Sequence, residues 1–268
     1  VKCWGDNAYG QIGSNEPGSK GYMDWQTTMG TNLEYLPFDN VFGDNLYPIQ
    51  YFGGGLGNVC ARMQTGDIKC WGRQNAYGVL GYGDTAWHEV AVFGAPREGG
   101  ESKGTLLPFV NVGGNYVISM TSYSYQNRCA LLDNAKVTCW GLNDQGQLGI
   151  GSTVDKYEPG VYVDIGDQTV KKISIDSYAV VALLRDGTVK TWGMAWNGGL
   201  GYGDDVVRGA DPATMGNNLP TLAFGEKVVD VARWYSGGCA LMDTGLVKCW
   251  GVSYKGALAS DPRSDRTD

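Results

Sequence analysis

Seven cysteines are the side chains of this chain best placed to do chemistry, and six of them fall into pairs. Cys60 and Cys70, Cys129 and Cys139, and Cys239 and Cys249 each stand ten residues apart. In a fourth stretch with the same surroundings both positions change together, to Val181 and Thr191. Cys3 occupies the second position of such a pair, and its partner would precede residue 1. Thiols that appear and vanish in pairs point to oxidation into disulfides. Opposed residues on neighbouring strands bring their Cβ atoms to about 4.5 Å, which a disulfide can span. Small buried thiols are the alternative reading, since free Cys packs well in cores. Zinc-type ligation is not expected, because no Cys-x-x-Cys spacing occurs and the chain has one histidine, His88. Structural disulfides imply an oxidising compartment: the extracellular space, a periplasm or an organelle lumen.

Other reactive constellations are scarce. His88 lies beside Trp87 in a polar stretch, and no nucleophile elbow, phosphate loop or paired-carboxylate motif accompanies it. The Asp residues of Gly83-Asp84 and Gly203-Asp204-Asp205 read as local acceptors in turns before they read as cation ligands. No catalytic residue, cofactor or metal site is expected.

The cysteines sit in a repeated frame. Five phrases end in Trp-Gly, at 1–5, 68–72, 137–141, 189–193 and 247–251, and their tryptophans (Trp4, Trp71, Trp140, Trp192, Trp250) are 67, 69, 52 and 58 residues apart. Each opens a second, Gly-rich phrase such as 143–149. A period of this size marks one supersecondary unit used repeatedly, and residues 1–268 read as a single array. Short alternating segments dominate, with little helical periodicity. Placing Cys60 opposite Cys70 leaves a three-residue hairpin loop with Gly66 third; Gly187 and Gly245 fall likewise. That position favours a left-handed residue, so Ala135 in the remaining copy implies a small penalty or another turn. Residues 108–113, 170–175 and 228–232 read as a further strand before each hairpin, giving three to four strands per repeat.

A net charge of −7 with no basic cluster argues against nucleic acid or anionic lipid as partner. No apolar run is long enough to span a membrane. The chain starts within a repeat and without Met, which reads as a product whose upstream sequence is unknown. None of the fifteen Asn opens an Asn-x-Ser/Thr acceptor, so heavy N-glycosylation is not expected. Longer stretches at 14–32, 82–104, 151–161 and 202–217 separate the repeats. Insertions in repeat arrays often form the binding surface. The first two carry Tyr22, Trp25, Trp87, His88 and Arg97, the aromatic and Arg types that anchor protein interfaces. Such aromatics tucked back onto the sheets are the alternative.

The phrase at 239–251, together with the Asn-Asp-Gln-Gly-Gln-Leu-Gly-Ile-Gly of 143–151, resembles the repeat of the regulator of chromosome condensation (RCC1-like) family. Within it the chain is most similar to the secreted, disulfide-bearing branch. The resemblance implies an all-β propeller of four-stranded blades, about five repeats of which are visible, as part of a ring commonly seven-bladed. Some four complete blades plus pieces are present, so a closed ring would need about two more, from further sequence or from a partner chain; an open arc or a smaller ring is the alternative. The family's exchange factor acts at chromatin, which acidic charge and structural disulfides oppose here; its ultraviolet receptor uses Gly-Trp-Arg-His-Thr phrases, which this chain lacks. The Trp-Gly tryptophans therefore read as packing residues. The expected role is a non-enzymatic propeller serving as a structural or protein-binding part of a larger assembly. A secreted inhibitor or ligand-binding module, and a lumenal accessory subunit of a membrane complex, are the alternatives.

Overall fold

The computed structural model describes residues 49–55, 57–72, 76–86, 108–121, 126–234 and 236–252. They form four antiparallel sheets of three sequential strands each. The first holds β1 (Ile49–Gly55), β2 (Asn58–Met63) and β3 (Ile68–Gly72); the second β4 (Val117–Met120), β5 (Asn127–Leu132) and β6 (Val137–Gly141). β7 (Val170–Ile175), β8 (Ala179–Leu184) and β9 (Val189–Gly193) make the third, and β10 (Val228–Trp234), β11 (Gly237–Met242) and β12 (Val247–Gly251) the fourth. Among these residues no helix is long and apolar enough to cross a membrane.

The second and third strands of each sheet are the hairpins read from the phrases. Cys60 pairs with Cys70, Cys129 with Cys139, Val181 with Thr191 and Cys239 with Cys249. All four loops close alike: the residue before the loop donates its N–H across it (Met63 to Asp67, Leu132 to Lys136, Leu184 to Thr188, Met242 to Leu246). The third loop residue then bonds back, and Ala135 does so at φ +61°, in the same turn as its glycine counterparts. The sequence position held by Ala therefore keeps the turn and bears the strain.

A fourth, irregular segment edges the first three sheets. Val110, Val163 and Leu222 donate their N–H groups to Ile68, Val137 and Val189, at 2.9, 2.8 and 2.8 Å. This corrects one reading of the sequence. Residues 108–113 do not open the second sheet; they lie against the far edge of the first, and Val117–Met120 takes the strand role. Alternation of apolar residues fits a half-buried edge segment as well as a strand.

Alternate residues of the second and third hairpins serve opposite neighbours, as strand geometry requires. Cys129, Leu131, Val137 and Cys139 of the second sheet share a core with Val170, Ile173, Ala182, Leu184 and Trp192 of the third. Val181, Leu183 and Val189 turn the other way, to Val228, Val231, Ala240, Met242 and Trp250 of the fourth. The sheets are thus stacked blades with a core in each seam.

Candidate functional site

The cysteine pairs stand directly opposite one another, with Cα atoms 4.0, 4.1 and 4.1 Å apart and sulfurs at bonding distance. That spacing belongs to the close pairs of an antiparallel ladder. Cys60, Cys70, Cys129 and Cys139 are buried, whereas Cys239 and Cys249 are half-buried. Where the pair is missing, the Thr191 hydroxyl donates to the Leu200 carbonyl at 2.6 Å instead.

The tryptophans fill the seams. Trp71, Trp140, Trp192 and Trp250 are all buried. Three indole N–H groups reach back into the Gly-rich phrase of the preceding sheet: Trp140 to Val79 O at 2.9 Å, Trp192 to Gln147 O at 3.1 Å and Trp250 to Gly199 O at 3.2 Å. The phrase's glycine makes room for the ring. At Gly149 (φ +66°) a Cβ would lie 2.6 Å from the Trp192 Nε1, so both conformation and space demand Gly. The Trp-Gly phrase and the Gly-rich phrase are therefore two halves of one contact, made between successive repeats.

Two further groups of residues, outside the cysteine, tryptophan and glycine positions, hold the blades. The lysine before the cysteine position ties down the irregular edge: Lys190 Nζ, buried, donates to the Ile165 and Gly216 carbonyls, both at 3.1 Å. Burial pulls the Lys190 ammonium below its usual pKa. Thr138 performs the same task through its hydroxyl, on Val161 O at 3.0 Å. Arg233 of β10, its side chain buried, bonds Asp176 Oδ2 at 2.7 Å and Gly199 O at 2.9 Å, clamping the fourth sheet to the third. Recurrence of Lys in Val-Lys-x-Trp was the available signal for the first; the second pairs residues 57 apart in sequence and left none.

The turn carboxylates serve the chain itself. Asp84 Oδ1 accepts the Ala86 N–H, and Asp205 Oδ1 accepts the Gly198 N–H. Asp204 accepts from Val206 and is gripped by both terminal nitrogens of Arg208, each at 2.8 Å, while that guanidinium lies 4.1 Å above the Tyr202 ring. The Arg208 bonds hold the Asp204 carboxyl below the usual range. Among the described residues no three His, Cys, Asp or Glu converge on a metal-sized site. Tyr22, Trp25, Trp87, His88, Arg97 and Cys3 lie outside the described residues. The described surface presents other large apolar side chains instead, among them Trp196 (64 % exposed), Tyr116 (54 %) and Ile118 (48 %).

Comparison with known proteins places these features in context. Residues 136–183 match the family described as "Regulator of chromosome condensation (RCC1) repeat". Human E3 ubiquitin-protein ligase HERC2 is 30 % identical over 190 residues, which cover 69 % of this chain and 3 % of HERC2. Ultraviolet-B receptor UVR8 of Arabidopsis thaliana is 25 % identical over 244 residues, covering 78 % of this chain and 52 % of the receptor. Among solved structures, human WBSCR16 superposes with a TM-score of 0.68 at 18 % identity, over 94 % of this chain and 57 % of that one. Yeast RCC1 (Prp20), solved with Kap60 bound, gives 0.60 at 20 % identity, over 82 % and 47 %. The chain spans about half the length of the receptor and of both solved chains, and far less of HERC2. The structural likeness is one of fold.

Proposed function

Because the chain is an RCC1-like repeat protein of β-propeller architecture, we propose that it is a non-enzymatic protein-binding or structural component of a larger assembly in an oxidising compartment. The observation that carries this reading is the recurrence of cysteines at one cross-strand position in three hairpins, each pair opposed across the ladder. Disulfides at a site the fold can fill equally with Val and Thr serve stability and do no chemistry. What remains for function is surface. Propellers present loops on a rigid body, and binding is commonly grafted there. Yeast RCC1 (Prp20), a neighbour in fold, has been solved with a protein, Kap60, bound to it. The stretches carrying Tyr22, Trp25, Trp87, His88 and Arg97 are the proposed anchors, and residues 1–268 are proposed to act as one array.

Native purification under non-reducing conditions tests both halves. Stoichiometric co-purifying subunits and six masked thiols by intact mass, with and without reduction, are expected. Six thiols free without reduction would overturn the compartment; a monomer with no partner would overturn the assembly role in favour of a free inhibitor or ligand-binding module.

A further inference from the structure

At each seam the residue just before the incoming sheet's first strand sits over the preceding hairpin turn. The register is fixed by three equivalent bonds: Val117 N–H to Gly66 O, Val170 N–H to Ala135 O and Val228 N–H to Gly187 O. In two seams that preceding residue is long and plugs the turn. A Cβ on Gly66 would meet the Tyr116 Cβ at 2.7 Å, and one on Gly187 would meet the Lys227 Cγ at 2.4 Å. In the middle seam the plug position holds Thr169, which is too short to cover the turn. A cleft of about 450 Å³ opens there, floored by Leu131, Leu132, Ala135 and Val170, with half-exposed Ile118 on its edge. Lys171 and Arg185 line its mouth, both exposed; neither forms an ion pair among the described residues, and the Lys171 ammonium reaches the Val229 carbonyl of the fourth sheet at a long 3.5 Å, a bond it would give up to turn to the cleft. Arg185 also borders a second, polar space of about 570 Å³ lined by Asp167, Gln168, Thr169, Asp186 and Asn217.

The two halves ask for different chemistry. An apolar floor of leucine and valine surface takes one aliphatic side chain, since its burial is favourable and no floor group needs a polar partner. Two cations at the rim of a protein of net charge −7 take an anion. The polar space offers amide, hydroxyl and carboxylate groups, both donors and acceptors, which match a peptide backbone and give a hydrocarbon tail nothing. We propose that this seam binds an extended segment of a partner protein, placing a leucine-sized side chain on the floor and a carboxylate between Lys171 and Arg185. The proposal deepens the protein-binding reading and locates a contact away from the stretches at 14–32 and 82–104.

Two variants follow from the neighbouring seams. Thr169→Tyr supplies the plug that Tyr116 provides at Gly66, and the double change Lys171→Glu with Arg185→Glu reverses the rim. Both alter exposed positions, so unchanged thermal midpoints check that they fold. A random dodecapeptide display library selected on the full chain is expected to enrich peptides with an aliphatic residue near Asp or Glu. Their binding should fall at least tenfold with either variant. No enrichment, enrichment of basic or neutral peptides, or equal binding to Thr169→Tyr would overturn the proposal. Displacement of fluorescent oleate by neither peptide nor plug is expected; oleate binding abolished by Thr169→Tyr, without peptide enrichment, would reassign the cleft to a lipid carboxylate. The broader reading fails separately: subunits that still co-purify with the Thr169→Tyr protein in full yield leave it standing and overturn the cleft as their seat.

Discussion

The hairpins β8–β9 and β11–β12 are built from nearly the same phrase, yet they live in different surroundings. Every residue of β8 and β9 is buried, because one face meets the second sheet and the other the fourth. In β11–β12 the inward set, Ala240, Met242 and Trp250, is buried in the same way. The outward set is not: Leu246 and Val247 are 58 % and 61 % exposed, and the cysteine pair between them and the Trp is half-buried. A blade hairpin therefore has two independent faces, and full burial needs a neighbour on each. The cross-link does not follow burial, since Cys129–Cys139 is as enclosed as Val181 and Thr191. What differs is how much each hairpin depends on it.

The largest expected effect tests the shared inward face. Trp192→Ala should cost about 3–5 kcal/mol in urea unfolding, from a fully buried ring and a lost indole bond to Gln147. Trp250→Ala should cost less, because among the described residues its sheet is covered on one side only. Equal losses would show that the outward face contributes nothing to how tightly a seam is held.

Next in size is the cross-link. Replacing Cys239 and Cys249 by Ala should lower stability by about 2–3 kcal/mol without reductant, the value for closing a loop this short. Building the absent pair, Val181→Cys with Thr191→Cys, should raise it by less, since the Thr191 hydroxyl bond to Leu200 is given up. Changes equal in size and opposite in sign would mean that the surroundings do not matter.

A smaller effect separates the Gly-rich phrases. The Tyr202 hydroxyl accepts the Thr191 N–H at 3.0 Å and faces the Pro220 carbonyl at 2.9 Å; Tyr82 does the same for both backbone groups of Cys70. The second sheet has Ile150 at that place. Tyr202→Phe should cost about 1–2 kcal/mol, a buried amide losing its partner. Burial pushes both phenols up from their ordinary value of 10.0. The unfolded chain ionises first, so stability is complete below about pH 10 and falls as the pH rises above it. Alkaline unfolding of the Tyr202→Phe protein should therefore be shallower than that of wild type, measured against urea at each pH.

Much of this frame was legible. Hairpin register, the paired cysteines and the packing role of tryptophan all follow from overlaying five phrases, because periodic residues report what every repeat must do. The plug at each seam was not legible, since Tyr116, Thr169 and Lys227 share neither type nor hydropathy and are united only by the bond the next residue makes. The edge segment at 108–113 was misplaced for a related reason: alternation shows that a segment is half-buried, and not on which sheet. Arg233 and Asp176 met only through folding.

The smallest effect returns to one turn in four. Ala135 holds a left-handed conformation at φ +61°, where its counterparts Gly66, Gly187 and Gly245 hold φ of +92°, +89° and +86°. An L-residue there costs about 1 kcal/mol. Ala135→Gly removes that strain but returns backbone freedom to the unfolded chain and strips a methyl from the cleft floor. The net gain should be about 0.5 kcal/mol, a rise in thermal midpoint readable by calorimetry. The reverse change, Gly187→Ala, should lose more than this, because Lys227 already occupies the space its methyl would take. A gain well above that size would mean that the methyl is strained by its neighbours as well as by its backbone. The middle seam would then be crowded where the cleft requires it to be open.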